Sequence, residues 1–434
     1  MMRCEATTPY WWDVAGTPTS PPMLDLPVEV DVVVVGAGLT GVSAARSTAR
    51  LGRSVLCLDA GAPGQGASSV NGGMVGGGHR LSIDELERRY GHDVAVRLLS
   101  EAHLESGAFV RGVIEDEAIE CDFVETGRFR GLWRDAEYES AGRALSRLQS
   151  LIPVDAEMVP RGRQRDEVAT DVYRGGTVYP RHGGLNPAKL AAGLLDAAVR
   201  AGAVVQGDTP VTSVAWSGSG LEVTTSRGTV RARDVLVATN GYTPSSLRDH
   251  KRRIVPLTSF LVATEELGVQ RLMELFPRGR MVVESRDRHC YYRASPDGRR
   301  LVFGGRAAMF DAPEALVRRE LRRLIQQIFP QLEDVTLTHS WRGRTGFSFD
   351  YLPNVGQLDG VWHAMGYSGS GNTMAPWLGH KAALLIAGDP EGETAFTHTD
   401  LPTRFWHQGP PWFMPFADVG FRFRDAWNNM RRRS

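Results

Sequence analysis

The sequence predicts an α/β fold that begins with a Rossmann-type dinucleotide-binding unit. Residues 28–35 (VEVDVVVV) form a continuous β-branched run, which is typical of a buried parallel strand. The glycine-rich GAGLTG follows, then an apolar-periodic stretch that stops at Gly52, and residues 54–59 (SVLCLD) predict the next strand. This succession of strand, helix and strand has about the length that a βαβ unit requires.

Composition excludes several classes of function. The 434 residues are enough for two or three structural units, and 50 Lys and Arg balance 50 Asp and Glu, so no net charge attracts nucleic acid or an anionic membrane. The four cysteines form no C-x-x-C pair, which argues against a metal site or a redox dithiol. The sequence shows neither an apolar run of about 18 residues nor a signal-peptide pattern, so we expect a cytoplasmic protein without a transmembrane segment.

The other elements follow from caps, periodicity and turn residues. Residues 1–28 are rich in proline and aromatic residues and predict an extended leader. Helices are predicted from a capping box at Ser82 and Glu85 to about Ile114, from the cap Asn186-Pro187 to Gly202, over 313–328 and over 373–387. Short strands are predicted at 203–206, 211–216, 221–225, 229–232 and 235–239, and β-like alternation runs from 254 to 304.

The strongest chemical signal is the glycine motif between the first strand and the first helix. Gly36 permits the tight turn, Gly38 lets the backbone approach a pyrophosphate, and Gly41 lets helix and strand pack closely. The phosphates then meet free N–H groups at the helix N-terminus, and Asp59 is placed to accept hydrogen bonds from a ribose. The alternative, a glycine-rich turn of an unrelated α/β protein, would not require a strand, a helix and an acid in these places.

A long glycine-rich loop, GAPGQGASSVNGGMVGGGHR (61–80), follows this acid, where an NAD-binding domain would usually continue to its next helix. The loop resembles the corresponding segment of the D-amino-acid-oxidase-like FAD superfamily, especially its gamma-glutamylputrescine oxidase and sarcosine oxidase branch. Further segments resemble that family over most of the chain: PYWWD (9–13), LVATNGYT (236–243), 254–267, 291–306, WRGRTGFSFDYLPNVG (341–356) and the closing motif GYSGSGNTMAPWLGHKAALLI (366–386).

The resemblance implies an α/β, Rossmann-type FAD-binding domain and a substrate domain with a mostly antiparallel sheet, as in D-amino-acid oxidase. We expect the FAD-binding domain to comprise 29–110, 186–245 and 341–390, the substrate domain 111–185 and 246–340, and the remainder a leader (1–28) and a C-terminal extension (391–434). The tail 421–434 mixes aromatic and basic residues, and we expect it to pack on the protein's own surface rather than on a membrane or a partner.

The family positions imply a set of FAD-contact residues. They are Gly36, Gly38, Leu39, Thr40, Gly41, Asp59, Ala60, Gly66, Ala67, Ser68, Asn71, Gly72, Gly73, Met74, Val211, Thr239, Gly241, Gly366, Ser368, Gly369, Gly371, Asn372 and Thr373. In the family, the helix of the closing motif begins beside the pyrimidine edge of the flavin. A helix N-terminus there stabilises the negative charge of the reduced ring.

Two departures from the family pattern concern the cofactor link and the electron acceptor. Asn71 and Trp341 stand where covalent relatives carry a linking His or Cys, so we expect dissociable FAD. Val302 stands where the sarcosine branch has a lysine that promotes reaction with oxygen, and no lysine falls in a flavin-facing motif. The acceptor, oxygen or another molecule, therefore stays open, and gamma-glutamylputrescine-type relatives favour oxygen.

A third departure concerns the substrate. Amino-acid-specific relatives pair the substrate carboxylate with a cation, and the matching positions here are Leu352, Met74 and Thr373. Because an unpaired buried carboxylate is costly, we expect a secondary or primary alkylamine, with any carboxylate or gamma-glutamyl group remote from the reacting carbon, and not a free α-amino acid. A shift of two residues in this correspondence would bring Arg80, Arg342 or Arg344 to a carboxylate instead.

No catalytic residue is predicted, because amine oxidation by flavin needs orientation and desolvation more than a dedicated base. The family places active-site tyrosines at Tyr291 and Tyr292, and each of them either faces the flavin or is an ordinary strand aromatic. His79 is either a ligand or base or, as we favour, a packing or surface residue. Arg293 and Arg306 are either anchors or structural arginines.

The predicted function is FAD-dependent oxidation of a C–N bond of a small amine to an imine that water hydrolyses. One alternative is a D-amino-acid or sarcosine-type oxidase or dehydrogenase. A second is a flavin monooxygenase, which would need NAD(P)H and usually a second dinucleotide or Asp-Gly signature that is not evident here. A third is a flavoprotein in which FAD only stabilises the fold.

Overall fold

The structure, a computed structural model, describes residues 7–420 and contains two eight-stranded sheets and one two-stranded sheet. The strands are β1 Glu29–Val35, β2 Val55–Leu58, β3 Met74–Val75, β4 Arg128–Gly131, β5 Glu157–Pro160, β6 Gly175–Tyr179, β7 Gly183–Gly184, β8 Val204–Gln206, β9 Val211–Ser217, β10 Gly220–Thr225, β11 Gly228–Val237, β12 Ile254–Thr264, β13 Met281–Glu284, β14 Cys290–Ala294, β15 Leu301–Gly305, β16 Leu337–Ser348, β17 Asn354–Leu358 and β18 Val361–Met365. The helices are α1 Tyr10–Ala15, α2 Leu39–Arg50, α3 Ala67–Val70, α4 Ile83–Tyr90, α5 His92–Ser100, α6 Ser106–Asp116, α7 Asp135–Leu151, α8 Pro187–Arg200, α9 Arg248–Lys251, α10 Val269–Leu275, α11 Glu314–Ile328 and α12 Gly371–Ala387.

The first sheet is the Rossmann-type half of the fold. Its strands lie in the order β17-β18-β11-β1-β2-β8, and those from β18 to β8 are parallel, with β9 and β10 added as an antiparallel hairpin on β11. Val32 and Val34 belong to the hydrophobic core on one face, and Val33 and Val35 to the core on the other. Because both faces are covered, β1 is a continuous apolar run rather than an alternating one.

Two helices bring the glycine-rich motifs at the two ends of the chain together. Helices α2 and α12 pack against each other, and a Cβ at Gly379 of α12 would lie 2.2 Å from the backbone oxygen of Thr40. The Thr40 and Tyr367 hydroxyl groups hydrogen-bond at 2.8 Å. The start of α2 and the turn before α12 are therefore neighbours.

The second sheet has the order β16-β12-β15-β14-β13-β4-β6-β5. Strands β13 and β4 pair in parallel, and the other neighbouring strands of this sheet pair antiparallel. One face packs against α11, where Leu321 and Ile325 join Tyr292 and Phe303 in a core. The predicted fold class, an α/β FAD-binding fold plus a mostly antiparallel second sheet, is confirmed.

Three local predictions are wrong. The β-like alternation predicted from 254 to 304 is interrupted by α10, whose Leu272 and Leu275 are buried in the core of the second sheet. The predicted extended leader contains α1, because Tyr10 and Trp11 bury their side chains in a small core with Trp341. The strands predicted at 229–232 and 235–239 are one strand, β11, because β1 pairs with it continuously across that interval.

The predicted division into domains stays a prediction, and its boundary at 341 falls inside β16, a strand of the second sheet. The predicted N-terminal caps hold: the Glu85 N–H donates to Ser82 Oγ at 3.2 Å, and the Asn186 side chain caps α8. No helix within residues 7–420 is long and apolar enough to span a bilayer. The packing expected for 421–434 lies outside the described residues.

Candidate cofactor and substrate site

A single cavity of about 1470 Å³ is lined by residues of both sheets. One end lies at the carboxyl ends of β1 and β2, where ligands of open parallel sheets bind. The glycine-rich loop forms the middle of the wall, and the face of the second sheet opposite α11 forms the far end. Because pockets for one small molecule typically hold about 300–1,000 Å³, this cavity has room for more than one.

The phosphate-binding end fits the predicted dinucleotide. Gly38 caps α2 in an extended conformation without a side-chain cap, and a Cβ there would lie 2.9 Å from Ser68 Oγ. A Cβ at Gly41 would lie 1.8 Å from the Gly36 oxygen, so the turn packs on its own helix as the motif requires. The positive dipole end of α2 therefore begins at the cavity wall, where the Leu39 N–H donates to Ser68 Oγ at 3.0 Å. A pyrophosphate at this helix start stays a prediction.

The predicted ribose ligand, Asp59, lines the same end of the cavity. Its carboxylate accepts the N–H groups of Ala37 at 2.8 Å and Gly61 at 3.1 Å, which fix its orientation. Burial raises the pKa of Asp59, and these N–H donors oppose that shift. The Asp59 carboxylate therefore links the turn after β1, through Ala37, to the loop after β2, through Gly61.

The glycine-rich loop and the closing motif are bonded to each other. Asn372, at the start of α12, donates through Nδ2 to Asn71 Oδ1 at 2.8 Å and to the Met74 oxygen at 3.0 Å. Asn71 also donates to the backbone oxygens of Ala67 and Ser68. Both motifs therefore form one continuous wall of the cavity.

The N-terminal segment holds the other side of this loop. The Trp11 indole N–H donates to the backbone oxygen of Asn71 at 2.7 Å, and the Trp341 indole N–H donates to the backbone oxygen of Val70 at 2.8 Å. The two indoles pack edge to face with ring centroids 6.4 Å apart. The loop is therefore clamped between α1 and β16.

Most of the predicted FAD-contact residues line the cavity. They are Gly36, Gly38, Leu39, Thr40, Asp59, Ala60, Gly66, Ala67, Ser68, Asn71, Gly72, Met74, Val211, Thr239, Ser368, Gly369, Gly371 and Asn372. Gly41, Gly73, Gly241, Gly366 and Thr373 do not line it. These five are buried, and the four glycines lie so close to neighbouring backbone that a Cβ would meet it at 1.8–3.1 Å.

The two candidate tyrosines point to opposite faces of the second sheet, because successive side chains of a strand alternate. Tyr291 lines the cavity, where its hydroxyl hydrogen-bonds Ser259 at 2.9 Å and burial raises its pKa to about 12. A Cβ at Gly72 would lie 2.8 Å from the Tyr291 ring, so the ring packs directly on the glycine-rich loop.

Tyr292 is a core residue, which corrects its candidacy for substrate contact. Its side chain is fully buried, stacks on Phe303 with ring centroids 5.4 Å apart, and hydrogen-bonds the Tyr173 hydroxyl at 2.7 Å. It does not line the cavity. Tyr291 is the one of the two that lines the cavity, and its position facing the flavin stays a prediction.

Histidine occurs in the wall in two settings. His79 lines the cavity, its Nε2 is hydrogen-bonded to the Leu98 oxygen at 2.8 Å, and burial lowers its pKa. Its role as a packing residue stays a prediction. His289, which the sequence did not single out, also lines the cavity. Burial holds the pKa of His289 well below its usual value, and the guanidinium groups of Arg306 and Arg80 act in the same direction, so this imidazole is neutral.

Two arginines enclose an aromatic ring in the cavity wall. The guanidinium carbons of Arg80 and Arg306 lie 5.1 and 5.5 Å from the centre of the Phe347 ring. Arg80 donates from Nε to the Ser368 oxygen at 2.9 Å. Burial, with Arg80 as the next cause, lowers the pKa of Arg306 to about 10, and no carboxylate in residues 7–420 forms an ion pair with either arginine.

The three positions matched to a cationic anchor are non-cationic, whereas two of the arginines that the sequence left open as anchors, Arg80 and Arg306, line the cavity. Of the three non-cationic residues, Leu352 and Thr373 are buried and Met74 lines the cavity. Arg80 and Arg306 supply positive charge to that cavity. Arg80 ends the glycine-rich loop and Arg306 directly follows β15. How these two segments run in the fold cannot be read from a comparison of short motifs.

The other arginines considered as anchors have different roles. Arg293 does not line the cavity, and its Nη1 donates to the Gly73 oxygen at 2.6 Å and the Leu185 oxygen at 3.1 Å, so it supports the loop from behind. Arg342 lies outside the cavity, 3.6 Å from Asp311. Arg344 lines it.

Several wall residues were missed by sequence reasoning, among them Arg128, Arg130, Thr177, Tyr179, Tyr242, Ser259, His289 and Phe347. The alternation in RFRG (128–131) and GGTVY (175–179) signals strands with one polar face. It does not reveal which other strands complete that face.

We expect acid precipitation to release FAD into the supernatant. Asn71 and Trp341 at the linkage positions carry no nucleophile and are engaged in hydrogen bonds, and no cysteine of the described chain lines the cavity. The measurement is the flavin absorbance of supernatant and pellet after precipitation. A yellow pellet would contradict the prediction and direct attention to His79 or His289.

Comparison with known proteins agrees with this geometry. Residues 31–385 match the family described as FAD dependent oxidoreductase. The chain is 32% identical over 386 residues to the probable oxidoreductase OrdL of Rhizobium meliloti, covering 87% of this chain and 88% of the relative. It is 30% identical over 395 residues to gamma-glutamylputrescine oxidoreductase of Escherichia coli, covering 91% of each. The crystal structure of glycine oxidase from Geobacillus kaustophilus has a TM-score of 0.71 at 22% identity, over 87% of this chain and 99% of that one.

Proposed function

This chain belongs to the family of FAD-dependent oxidoreductases, and we propose that it oxidises a C–N bond of an alkylamine to an imine, which water then hydrolyses. The proposed substrate is a primary or secondary alkylamine, with any carboxylate or gamma-glutamyl group remote from the reacting carbon. A relative named for gamma-glutamylputrescine, 30% identical over 91% of this chain, supports that choice.

The continuity of the cavity carries this proposal. The phosphate-binding glycines, the loop 66–80 and Tyr291 line the same space, so a dinucleotide and an organic substrate would share it. Bound FAD would accept the two electrons and the hydrogen that leave the amine. The amine loses two electrons and two protons in becoming an imine, and addition of water yields a carbonyl compound and the released amine or ammonia.

The chain's own contribution in this proposal is orientation and exclusion of water. Tyr291 forms part of the cavity floor, with its ring against Gly72 and its hydroxyl held by Ser259. Leu257 and Phe347 add apolar wall on the same side. An uncharged amine packs against these groups without the desolvation cost of an ammonium ion.

The test is anaerobic mixing of the purified protein with a panel of amines while the flavin absorbance is followed. The panel contains D-amino acids, sarcosine, N-alkylamines and gamma-glutamylated diamines. We expect an alkylamine or a gamma-glutamylated diamine to bleach the flavin fastest. Bleaching only by NADPH would instead identify a monooxygenase, and a flavin that nothing reduces would identify a cofactor that only stabilises the fold.

Oxidation of a sarcosine-type or D-amino acid is the second candidate function. The observation that favours it is the pair Arg80 and Arg306 in the cavity wall, since guanidinium groups bind carboxylates. If a D-amino acid or sarcosine reduces the flavin fastest, this candidate replaces the first.

We expect turnover in air to produce hydrogen peroxide in stoichiometric amount with the oxidised amine, at a modest rate. The modest rate follows from the absence of a lysine among the described residues that line the cavity: Lys189 binds Asp122 instead, and Val302 is buried in a core. A peroxidase-coupled assay beside oxygen consumption measures it. Activity only with a quinone or an artificial acceptor would make the protein a dehydrogenase.

A further inference from the structure

The cavity floor is a row of paired residues on the second sheet. Thr177, Arg130, Val283 and Tyr291 lie opposite one another on β6, β4, β13 and β14, and all four line the cavity. Residues paired in this way share a face of the sheet. Neighbouring strands lie about 4.8 Å apart, so two strand spacings place the Arg130 backbone about 10 Å from that of Tyr291.

Arg128 adds a second guanidinium to the same face. It precedes Arg130 by two residues on β4, pairs with Tyr179 of β6, and lies over the Tyr179 ring with its guanidinium carbon 5.7 Å from the ring centre. Its Nη2 donates to the Gly77 oxygen at 3.2 Å. Its Nε is buried and has no hydrogen-bond partner within residues 7–420, which leaves one unsatisfied donor.

The positive charge of this wall is not balanced by the described residues. Arg128 and Arg130, like Arg80 and Arg306, form no ion pair in the part of the chain that the structure describes. Burial lowers the pKa of Arg128 to about 10; Tyr179 opposes this shift and the Arg130 guanidinium adds to it. A cluster of guanidinium groups without a counterion attracts anions.

The acidic residues that line the cavity are engaged or distant. Asp59 lies at the opposite, phosphate-binding end, and Asp84 is exposed at the rim on α4. Glu284 is paired with Arg286 at 2.6 Å and accepts the indole N–H of Trp133 at 3.0 Å. None of them neutralises Arg128 or Arg130.

We propose that the outer chamber, defined by Arg128, Arg130, Thr177 and Tyr179, binds a carboxylate at the far end of the amine substrate. The proposal rests on the proposed function and deepens it. We place the reacting amine beside Tyr291, two strands away from Arg130, where the two backbones lie about 10 Å apart. The substrate is therefore elongated, with its amine beside Tyr291 and its carboxylate on Arg130 and Arg128.

The test compares two elongated alkylamines of equal length, one ending in a carboxylate and one in a carboxamide. We expect kcat/KM of the holoenzyme to be about 10- to 100-fold higher for the carboxylate, mainly through KM. Arg130→Gln should bring this ratio towards one, whereas Arg130→Lys should retain part of it. The matched control is Arg163→Gln, which removes an exposed arginine outside the cavity and should keep the ratio.

Equal kcat/KM for the two amines in the holoenzyme, or an unchanged ratio in Arg130→Gln, would overturn the proposal. A preference for a phosphate-ended amine over the carboxylate would overturn its assignment to carboxylates. Calorimetric titration of the holoenzyme with adipate separates this proposal from the proposed function. Suppose that the protein oxidises no amine in the panel. If it nevertheless binds adipate, and Arg130→Gln weakens that binding about 10-fold, the outer chamber is supported and the proposed function is rejected. If it does not bind adipate either, both proposals are rejected.

Discussion

Replacing Gly38 by valine is expected to give a folded protein that purifies without FAD. Gly38 precedes the first turn of α2, and the added Cβ would lie 2.9 Å from Ser68 Oγ. The branched side chain would occupy the space through which a pyrophosphate approaches the helix N-terminus. We expect this obstruction to lower the affinity for FAD on the order of 100-fold, which corresponds to about 2.8 kcal/mol.

The measurement is the ratio of flavin to protein absorbance after purification, with circular dichroism to show that the chain has folded. Gly112→Val is the matched control, because a Cβ at Gly112 of α6 meets no atom within 4 Å and the cavity is elsewhere. That variant should keep its FAD. A yellow Gly38→Val protein with full cofactor content would contradict the assignment of this turn to the phosphates.

Alanine at Tyr291 and alanine at Tyr292 are expected to have different effects. Tyr292→Ala should lower the free energy of unfolding by about 3–5 kcal/mol, because it removes a fully buried ring from the core with Phe303. Tyr291→Ala should instead lower kcat/KM on the order of 100-fold, because it removes the cavity floor beside Gly72 and allows the substrate to shift.

Denaturant titration and turnover on the same preparations measure both effects. Tyr291→Phe keeps the ring and loses only the hydrogen bond to Ser259, so it should recover most of the turnover. Two results would contradict the assignment of the two faces: normal turnover in Tyr291→Ala, or a Tyr292→Ala protein that is as stable as the parent.

The sequence alone determined the βαβ unit, the glycine cradle and the start of the main helices, because each rests on local signals. The apolar run at 29–35 forms β1, and Gly36, Gly38 and Asp59 meet at its carboxyl end. The caps at Ser82 and Asn186 begin α4 and α8 as predicted. Steric limits at a tight turn and unsatisfied N–H groups at a helix start act within a few residues, so a pattern of a few residues reveals them.

Only the tertiary structure decided which residues form the substrate end of the cavity. Strand alternation showed that Tyr291 and Tyr292 face opposite ways, but the packing of α11 on one face decided that Tyr292 is core. Likewise, Arg128 and Arg130 join Tyr291 on one surface only through the pairing of β4 with β13 and of β13 with β14. Strand register across sequence separations of more than 100 residues depends on the packing of the whole sheet, and the abundant arginines of this chain carry no local mark of it.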